Sequence, residues 1–388
     1  MKTMHSAIAK EIVFWSLIIT LTMLAGRLQA TQVLHCPSLS SSLQERMTWA
    51  ETEWSHNIGH QEIWVGYFIE KWMPQNARIG WHDSRRHDIL PTLQEILAGS
   101  DARFPAADDE ETLLHAENRS LTNSLNNDIE QINGQKKLVI LLRYHQNTNE
   151  TPGLSCIRIT DFDRLVNLSG FPLYWLGKAA DMESLHFLDE LAAGLSEVTL
   201  QNDLITAVAM HESKSSVIRI LARILKTSEN DDLRGTASFW LGQQDHIDAL
   251  PHLNHAIRHD VSPEVRKKTV FSISQMSLRE ATDLLIDLAY NSKSRCVQKE
   301  AIFWLGQRAS EKISETLTDL VFDIRETDIQ KHAVFAISQL PARESLPELI
   351  RISKNHPNPE IRKSAIFWLG ETREPEAVKT LAEIASSK

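Results

Sequence analysis

The tetrapeptide Phe-Trp-Leu-Gly at residues 239–242 recurs at 303–306 and at 367–370, so that successive copies are 64 residues apart. Two weaker copies lie midway between them, Phe-Ser-Ile-Ser at 271–274 and Phe-Ala-Ile-Ser at 335–338. The phenylalanines therefore recur every 32 residues over this part of the chain. A fixed period of about 20 to 50 residues is typical of solenoid proteins. The pattern thus predicts a solenoid of 32-residue units, grouped in pairs of 64.

One unit, residues 262–289, shows why the repeat predicts helical hairpins. Ser262 and Pro263 suit the start of a helix, because serine is a favoured cap and proline fits the first turn. The helix then carries apolar side chains on two sides, and a second apolar helix follows up to about Ala289. Such a hairpin buries both sides only by stacking against its neighbours, which predicts a mainly α solenoid.

The residue after each phenylalanine alternates between tryptophan and a small residue such as Ser272 or Ala336. Interlocking of large and small side chains gives native packing density, so we expect the indoles to pack between units. Because Tyr-Trp-Leu-Gly at 174–177 is a further copy of the motif, we predict that the solenoid covers 169–388. The predicted repeat core comprises the tryptophans and leucines of these copies: Trp175, Trp240, Trp304, Trp368, Leu241, Leu305 and Leu369.

The repeats resemble the HEAT-like repeat of the phycobilisome-lyase type. The similarity is in Pro-Glu-Val-Arg at 263–266, Pro-Glu-Ile-Arg at 359–362 and Ala-Ile-Phe-Trp-Leu-Gly at 301–306 and 365–370. Gln298 and Gln330 stand where this family has arginine. The resemblance covers about 170–388 and implies a solenoid fold. The segments 64–67 and 156–175 also look like the front end of exported bacterial HEAT-repeat proteins.

The resemblance implies several functions, because the wider family includes bilin-lyase subunits, a deoxyhypusine hydroxylase and scaffolds. The hydroxylase holds two irons with several His-Glu dipeptides at equivalent repeat positions. This chain has His211-Glu212 at one such position, and other residues at the rest: Gln243, Gln275, Gln307, Gln339 and Glu371. We therefore expect neither a di-iron centre nor any other cofactor.

The composition excludes one class of partner. The chain has 388 residues, a net charge of −10 and a pI near 5.9, and 42% of its residues are hydrophobic. Lysine and arginine are scattered among acidic residues, whereas binding to a phosphate backbone requires a basic stripe. We expect no nucleic-acid partner.

The first thirty residues have the features of an export signal. Lys2 and Lys10 precede an apolar run at 12–26, and Ala30 offers a cleavage site. The run is shorter than the ~20 residues of a spanning helix. We therefore predict a signal peptide at 1–30 and a periplasmic or secreted protein. The alternative is an uncleaved anchor, with 12–26 holding the chain in the inner membrane as its only membrane contact.

Between the signal and the solenoid we predict a linker at 31–60 and a small β-containing domain at 61–168. Residues 62–70, 137–143 and 155–160 alternate or are apolar throughout and are rich in β-branched and aromatic side chains, as in strands. A polar insertion at about 74–135 separates the first two strands. We expect an antiparallel sheet.

An oxidising compartment would permit a disulfide among the three cysteines. Cys36 and Cys156 both lie outside the predicted repeats and are the candidate pair. The alternative is that all three, including Cys296, are buried thiols.

Three histidines at i, i+3 and i+7 form a candidate metal site within the solenoid. His252, His255 and His259 share one helical face, opposite the apolar stripe. We expect such faces of the second helices to line the concave groove. There the imidazoles either bind a transition metal or make the affinity for a partner depend on pH. The alternative is that they form a solvated face.

The chain has no nucleophile elbow, phosphate loop or paired-carboxylate signature. We therefore predict a non-enzymatic scaffold of the cell envelope that binds a protein or peptide partner in the solenoid groove. The alternative is a lyase-like or metal-dependent enzyme, or a subunit of one. Its site would lie outside the repeats or at His252, His255 and His259.

Overall fold

The computed structural model describes residues 31–56, 61–74, 90–99, 133–146, 153–308 and 311–386. The chain divides into two compact units, Met1–Gly194 and Leu195–Lys388. The predicted signal at 1–30 lies outside the described residues, and so does most of the predicted insertion at 74–135.

The first unit is built on a five-stranded sheet. Its strands are β1 (Val33–His35), β2 (Glu62–Pro74), β3 (Asn133–His145), β4 (Gly153–Asp161) and β5 (Leu173–Lys178), in the spatial order β1-β5-β2-β3-β4. The β2–β3 and β3–β4 pairs are antiparallel, as predicted. However, β5 runs parallel to both β1 and β2, so the sheet is mixed.

Three helices accompany the sheet: α1 (Leu43–His56), α2 (Leu93–Leu97) and α3 (Asp181–Gly194). Alternation along β2 places Ile63, Val65, Tyr67 and Ile69 on one buried face. The Tyr67 hydroxyl lies 2.9 Å from the Ser184 hydroxyl, which joins this face to α3. Burial raises the pKa of Tyr67, so its phenol stays protonated.

The opposite face of the sheet carries a second apolar cluster. Trp64 is its largest buried member, and the Trp64 indole nitrogen donates a hydrogen bond to the Leu168 carbonyl oxygen at 3.1 Å. The cluster combines residues of three strands with α2 and the segment before β5: Trp64, Leu93, Val139, Leu141, Val166, Leu168, Leu173 and Trp175, with Val33 of β1 and Cys156 of β4 at its margin.

The predicted linker at 31–60 is in fact part of this unit. It forms β1 and α1, and α1 buries Leu43, Met47 and Trp54. The buried guanidinium of Arg46 donates hydrogen bonds to the carbonyl oxygens of Leu176 and Lys178, at 2.5 and 2.7 Å. The many polar residues of this segment indicated a linker. Its few apolar residues, however, are the ones that pack against the sheet.

The prediction that Trp175 belongs to the repeat core was wrong. Tyr-Trp-Leu-Gly at 174–177 lies in β5, which pairs with β1 and β2, and Gly177 has a positive φ of 73°. Trp175 stacks on Phe68 of the sheet. The stacked helices of the second unit therefore begin at Val198 rather than at residue 169.

The predicted Cys36–Cys156 disulfide is also contradicted, and all three cysteines are free thiols. Cys36 directly follows β1 at one edge of the sheet, and Cys156 lies in β4 at the other edge. Four strand-to-strand steps of about 4.8 Å separate these edges, whereas the Cα atoms of a disulfide lie within about 7 Å.

The described residues of the second unit form six stacked helical hairpins, which confirms the mainly α solenoid. The first helices are α4 (Val198–Ala209), α6 (Asp231–Gln243), α8 (Pro263–Ser274), α10 (Arg295–Gly306), α12 (Thr327–Ser338) and α14 (Pro359–Thr372). The second helices are α5 (Lys214–Thr227), α7 (Ala249–His259), α9 (Arg279–Asn291), α11 (Glu311–Asp323), α13 (Ala342–Asn355) and α15 (Pro375–Ser386).

A ladder of long polar side chains connects the hairpins. In each of five first helices, one side chain donates to carbonyl oxygens at the C-terminal end of the preceding second helix: Arg234, Arg266, Gln298, Gln330 and Arg362. Glutamine can replace arginine here because the carboxamide also has donors that satisfy helix-end carbonyls. The two glutamines therefore continue the ladder rather than interrupt it.

Candidate functional site

Successive first helices contact each other more extensively than successive second helices do. In a curved stack the more closely packed layer lies on the inner side, because its arc is shorter. We infer that the first helices form the inner surface of this unit. This inference differs from the prediction that the second helices line the groove, because the repeat period does not reveal which layer is packed more closely.

The phenylalanine of each repeat is partly exposed to solvent on this inner surface. Phe239, Phe271, Phe303 and Phe335 are half-buried, and Phe367 is 59% exposed. The tryptophan that follows three of these residues is also half-buried, whereas the next leucine is fully buried: Leu241, Leu305 and Leu369. The repeat core thus consists of the leucines, and the aromatic side chains of the motif are accessible.

These rings lie on one surface, which we call the aromatic tract: Phe239, Trp240, Phe271, Phe303, Trp304, Phe335, Phe367 and Trp368. Ring contacts divide the tract into two groups, one within 239–304 and one within 335–368. The rings of Phe239 and Phe271 stack at 6.3 Å, and Phe271 lies 4.9 Å from Trp304. Each tryptophan after the first contacts the phenylalanine of the preceding first helix. Phe335 and Trp368, 5.3 Å apart, repeat this arrangement two units later.

Lysines one helical turn before a phenylalanine pair with acidic residues that lie two turns before the phenylalanine of a neighbouring first helix. Lys299 Nζ lies 2.9 Å from the Asp328 carboxylate, and the Lys331–Glu360 and Lys268–Asp232 pairs are 3.3 Å apart. The hydrogen bond from Lys299 lowers the pKa of Asp328. The surface beside the aromatic tract is therefore close to neutral.

A pocket of about 380 Å³ lies in the aromatic tract between α10 and α12, and we call it the central pocket. Phe303 forms its apolar wall, and charged and polar side chains complete the lining: Cys296, Lys299, Glu300 and His332. The pocket lies where no ring contact joins Phe303 and Phe335. It is large enough for one side chain of a bound partner.

His332 connects the pocket to the ion pairs. Its Nε2 atom lies 3.1 Å from the Lys299 carbonyl oxygen, so Nε2 carries the proton and donates this bond. Burial lowers the pKa of His332, and the bond to Lys299 acts in the opposite direction. The neutral imidazole is thus the form that the pocket favours.

The histidines predicted as a metal site lie on the other layer, in the second helix α7. All three are exposed, and Leu250, Leu253 and Ile257 are buried beneath them, as the helical spacing predicted. The rings of His255 and His259 approach to 4.6 Å. Within the described ranges, no group of three or more His, Cys, Asp or Glu side chains is arranged to hold a metal ion.

His211, the histidine of the single His-Glu dipeptide, is buried at the end of α4. Its Nδ1 donates a hydrogen bond to the Ala207 carbonyl oxygen at 2.9 Å, so the His211 side chain caps the C-terminal end of α4. The residues at the equivalent positions of the next four units are exposed on the inner surface: Gln243, Gln275, Gln307 and Gln339.

Residues 218–306 and 314–388 match the family model for HEAT repeats. This part of the chain is an array of HEAT repeats. The matched residues extend from α5 to the end of α15, so the HEAT array includes the whole aromatic tract. No helix in the described part of the chain is both long and apolar enough to span a membrane. No curated protein sequence is significantly similar to this chain.

The chain is similar to several solved structures over part of its length. Human deoxyhypusine hydroxylase in complex with glycerol is 12% identical over 53% of this chain and 92% of that chain, with a TM-score of 0.27. The CpcE–CpcF complex of phycocyanin lyase from Nostoc sp. PCC7120 is 20% identical over 40% and 98%, with a TM-score of 0.29. Lipovitellin is 13% identical over 65% and 32%, with a TM-score of 0.38.

Sequence reasoning missed the inner surface of the HEAT array as the candidate site. Lys299, Phe303 and His332 lie at positions that face outward in every unit. Lysine, phenylalanine and glutamine each recur in the sequence with a period of 32 residues. Because residues at i, i+4 and i+8 of one helix share a face, this recurrence indicates a shared exposed surface.

Proposed function

We propose that this protein is a non-enzymatic scaffold that binds a protein or peptide partner on the inner surface of the HEAT array. The aromatic tract is the observation that carries this proposal. Large aromatic side chains supply much of the binding energy at interfaces, and monomeric proteins seldom expose a contiguous apolar surface of this kind without a function.

The central pocket supports a binding role rather than a reaction. His332 Nε2 is engaged by the Lys299 carbonyl oxygen, and Lys299 is paired with Asp328. A side chain of the partner would fill the pocket against Phe303. This arrangement favours recognition, because apolar contact fixes the position and the polar rim orients the ligand.

The partner-binding proposal is tested by selecting a peptide library displayed on phage against the full-length protein. Enriched peptides are then measured against the double variant Phe271→Ser/Phe335→Ser. We expect the variant to bind them at least ten-fold more weakly. Val261→Ser serves as the control, because Val261 is 85% exposed in the turn before α8, away from the tract. Peptides that bind the wild type and the double variant equally would overturn the proposal.

We also propose that the protein acts in the cell envelope, as a periplasmic or secreted scaffold. The proposal rests on the apolar run at 12–26 behind two lysines, and on the small residue Ala30. Mass spectrometry of the purified protein would then find Thr31 as its first residue. Recovery of the intact chain in the membrane fraction would favour the anchored form, and an intact chain in the cytosol would refute export.

A further inference from the structure

The geometry of the inner surface points to the chemical class of the partner: a proline-rich segment in the polyproline II conformation, lying across the first helices. This inference rests on the proposed function and identifies its ligand. Four properties of the surface lead to it, namely its spacing, its charge, its aromatic side chains and its glutamines.

The spacing of the repeats matches the polyproline II helix. Packed neighbouring helices lie about 8–10 Å apart, and each first helix from α6 to α14 presents one phenylalanine to the inner surface. A polyproline II helix has three residues per turn and a rise of about 3.1 Å, so its turn is about 9.3 Å long. The same face of the ligand therefore returns at about the spacing of the helices, while the rings of Phe239 and Phe271 lean together to 6.3 Å. A β-strand does not match in this way, because its side chains alternate with a period of two.

The charge of the surface favours an uncharged ligand. Lys268, Lys299 and Lys331 each have an acidic partner on a neighbouring first helix, at 2.9 to 3.3 Å. An acidic or basic peptide would have to compete with these pairs. A proline-rich segment carries no charge and leaves them intact.

The aromatic tract provides the contact surface that prolines require. Aromatic-lined grooves are the usual receptors of polyproline II segments, and a ligand that is already extended loses little entropy on binding. The stacked pair Phe239 and Phe271 and the pair Phe335 and Trp368 are partly exposed on the inner surface. The central pocket between them takes one larger side chain.

The exposed glutamines supply the polar contacts. The carbonyl oxygens of a polyproline II helix form no internal hydrogen bonds and must be satisfied by water or by the receptor. A carboxamide stands one helical turn beyond four of the five phenylalanines, Gln243, Gln275, Gln307 and Gln339, whereas Glu371 follows Phe367. Gln275 and Gln339 donate only to neighbouring serine hydroxyls among the described residues, contacts that solvent-exposed side chains exchange readily.

The test measures fluorescence anisotropy of labelled peptides titrated with the full-length protein. The probes are an oligoproline of about fifteen residues, which spans five repeats, shorter oligoprolines, and a Gly-Ser peptide of the same length. We expect the long oligoproline to bind at least ten-fold more tightly than the Gly-Ser peptide. Affinity should increase with each added group of three prolines.

Two variants locate the ligand. Phe271→Ala/Phe335→Ala should weaken oligoproline binding at least ten-fold, and Gln275→Ala/Gln339→Ala about five-fold, while Val261→Ala has no effect. The glutamines are exposed, so the second variant remains informative even if the first unfolds. Equal binding of oligoproline and Gly-Ser peptides, or unchanged binding by both double variants, would overturn the inference.

The result separates this inference from the proposed function. If library peptides depend on Phe271 and Phe335 but oligoproline does not bind, the scaffold stands and its ligand is of another class. If neither library peptides nor oligoproline depend on these residues, both proposals fail.

Discussion

Gly242 in α6 lies so close to Ser272 in α8 that a Cβ atom on the glycine would come within 2.5 Å of the serine carbonyl oxygen. Gly306 has the same relationship with Ala336, at 2.9 Å. The glycine of the Phe-Trp-Leu-Gly motif thus permits a close approach of neighbouring first helices. The small residue that alternates with tryptophan after the repeat phenylalanine, Ser272 or Ala336, lies at this point of contact.

We predict that Gly242→Ala destabilises the HEAT array by about 1–3 kcal/mol, the usual cost of overpacking. The control is Gly370→Ala, because a Cβ at Gly370 meets no atom within 4 Å. There, the higher helix propensity of alanine should stabilise by up to about 1 kcal/mol. Urea unfolding followed by circular dichroism measures both. Equal effects of the two substitutions would show that the close approach is unimportant.

The pair Arg234 and Asp260 provides a second prediction. Two guanidinium nitrogens of Arg234 donate to the two Asp260 carboxylate oxygens at 2.8 and 2.9 Å, and both side chains are more than nine-tenths buried. Arg234→Ala leaves a buried carboxylate without its partner. We expect a loss of about 3–5 kcal/mol in the free energy of unfolding.

The repeat itself suggests the rescue for this variant. Gln298 and Ile324 occupy the positions equivalent to Arg234 and Asp260 two units later. The double variant Arg234→Gln/Asp260→Ile should therefore recover at least half of the stability that Arg234→Ala loses. The single variant Arg234→Gln should not, because it keeps the unpaired aspartate. Equal unfolding midpoints of the single and double glutamine variants would contradict this account.

A third prediction compares Trp304 with Leu305. A fully buried indole would predict a loss of roughly 3–5 kcal/mol for Trp304→Ala, but the Trp304 indole is half-buried. We now expect about 1.5–3 kcal/mol for Trp304→Ala and about 2–5 kcal/mol for Leu305→Ala, since Leu305 is fully buried. Thermal unfolding ranks the two. A larger loss for the tryptophan variant would show that its contact with Phe271 matters more than burial.

The repeat period and the alternating strands were sufficient to predict the solenoid and three of the strands of the first unit. Both signals are local, because they reflect which side chains of one helix or strand share a face. The sequence did not show which apolar side of a first helix is covered. Phe271 and Val270 are neighbours in the chain, yet only Val270 is fully buried.

The errors have a common origin in contacts between distant segments. Residues 174–177 resemble the helical motif, but pairing with β1 and β2 makes them a strand. The separation of Cys36 and Cys156 follows from the order of strands in the sheet. Neither strand pairing nor strand order leaves a mark in the local pattern, because both depend on residues far apart in sequence.

The last prediction concerns the pH dependence of stability. Burial lowers the pKa of His332 below its ordinary value near 6.5, with Lys299, Glu300 and Asp328 nearby. As the pH falls, the unfolded chain takes up this proton before the folded chain does. The contribution of neutral His332 is therefore fully present above about pH 6.5 and is lost as the pH falls towards the folded pKa.

We expect the wild-type protein to lose more stability than His332→Gln when the pH is lowered from about 7.5 to about 5.5. Urea midpoints at the two pH values measure the difference. His255→Gln is the control, because His255 is exposed on α7, and it should lose as much stability as the wild type. If His332→Gln were as sensitive to acid as the wild type, the imidazole of the central pocket would not be held in its neutral form. A partner binding over the pocket would then meet a charged side chain, which would weaken the inference of an uncharged ligand.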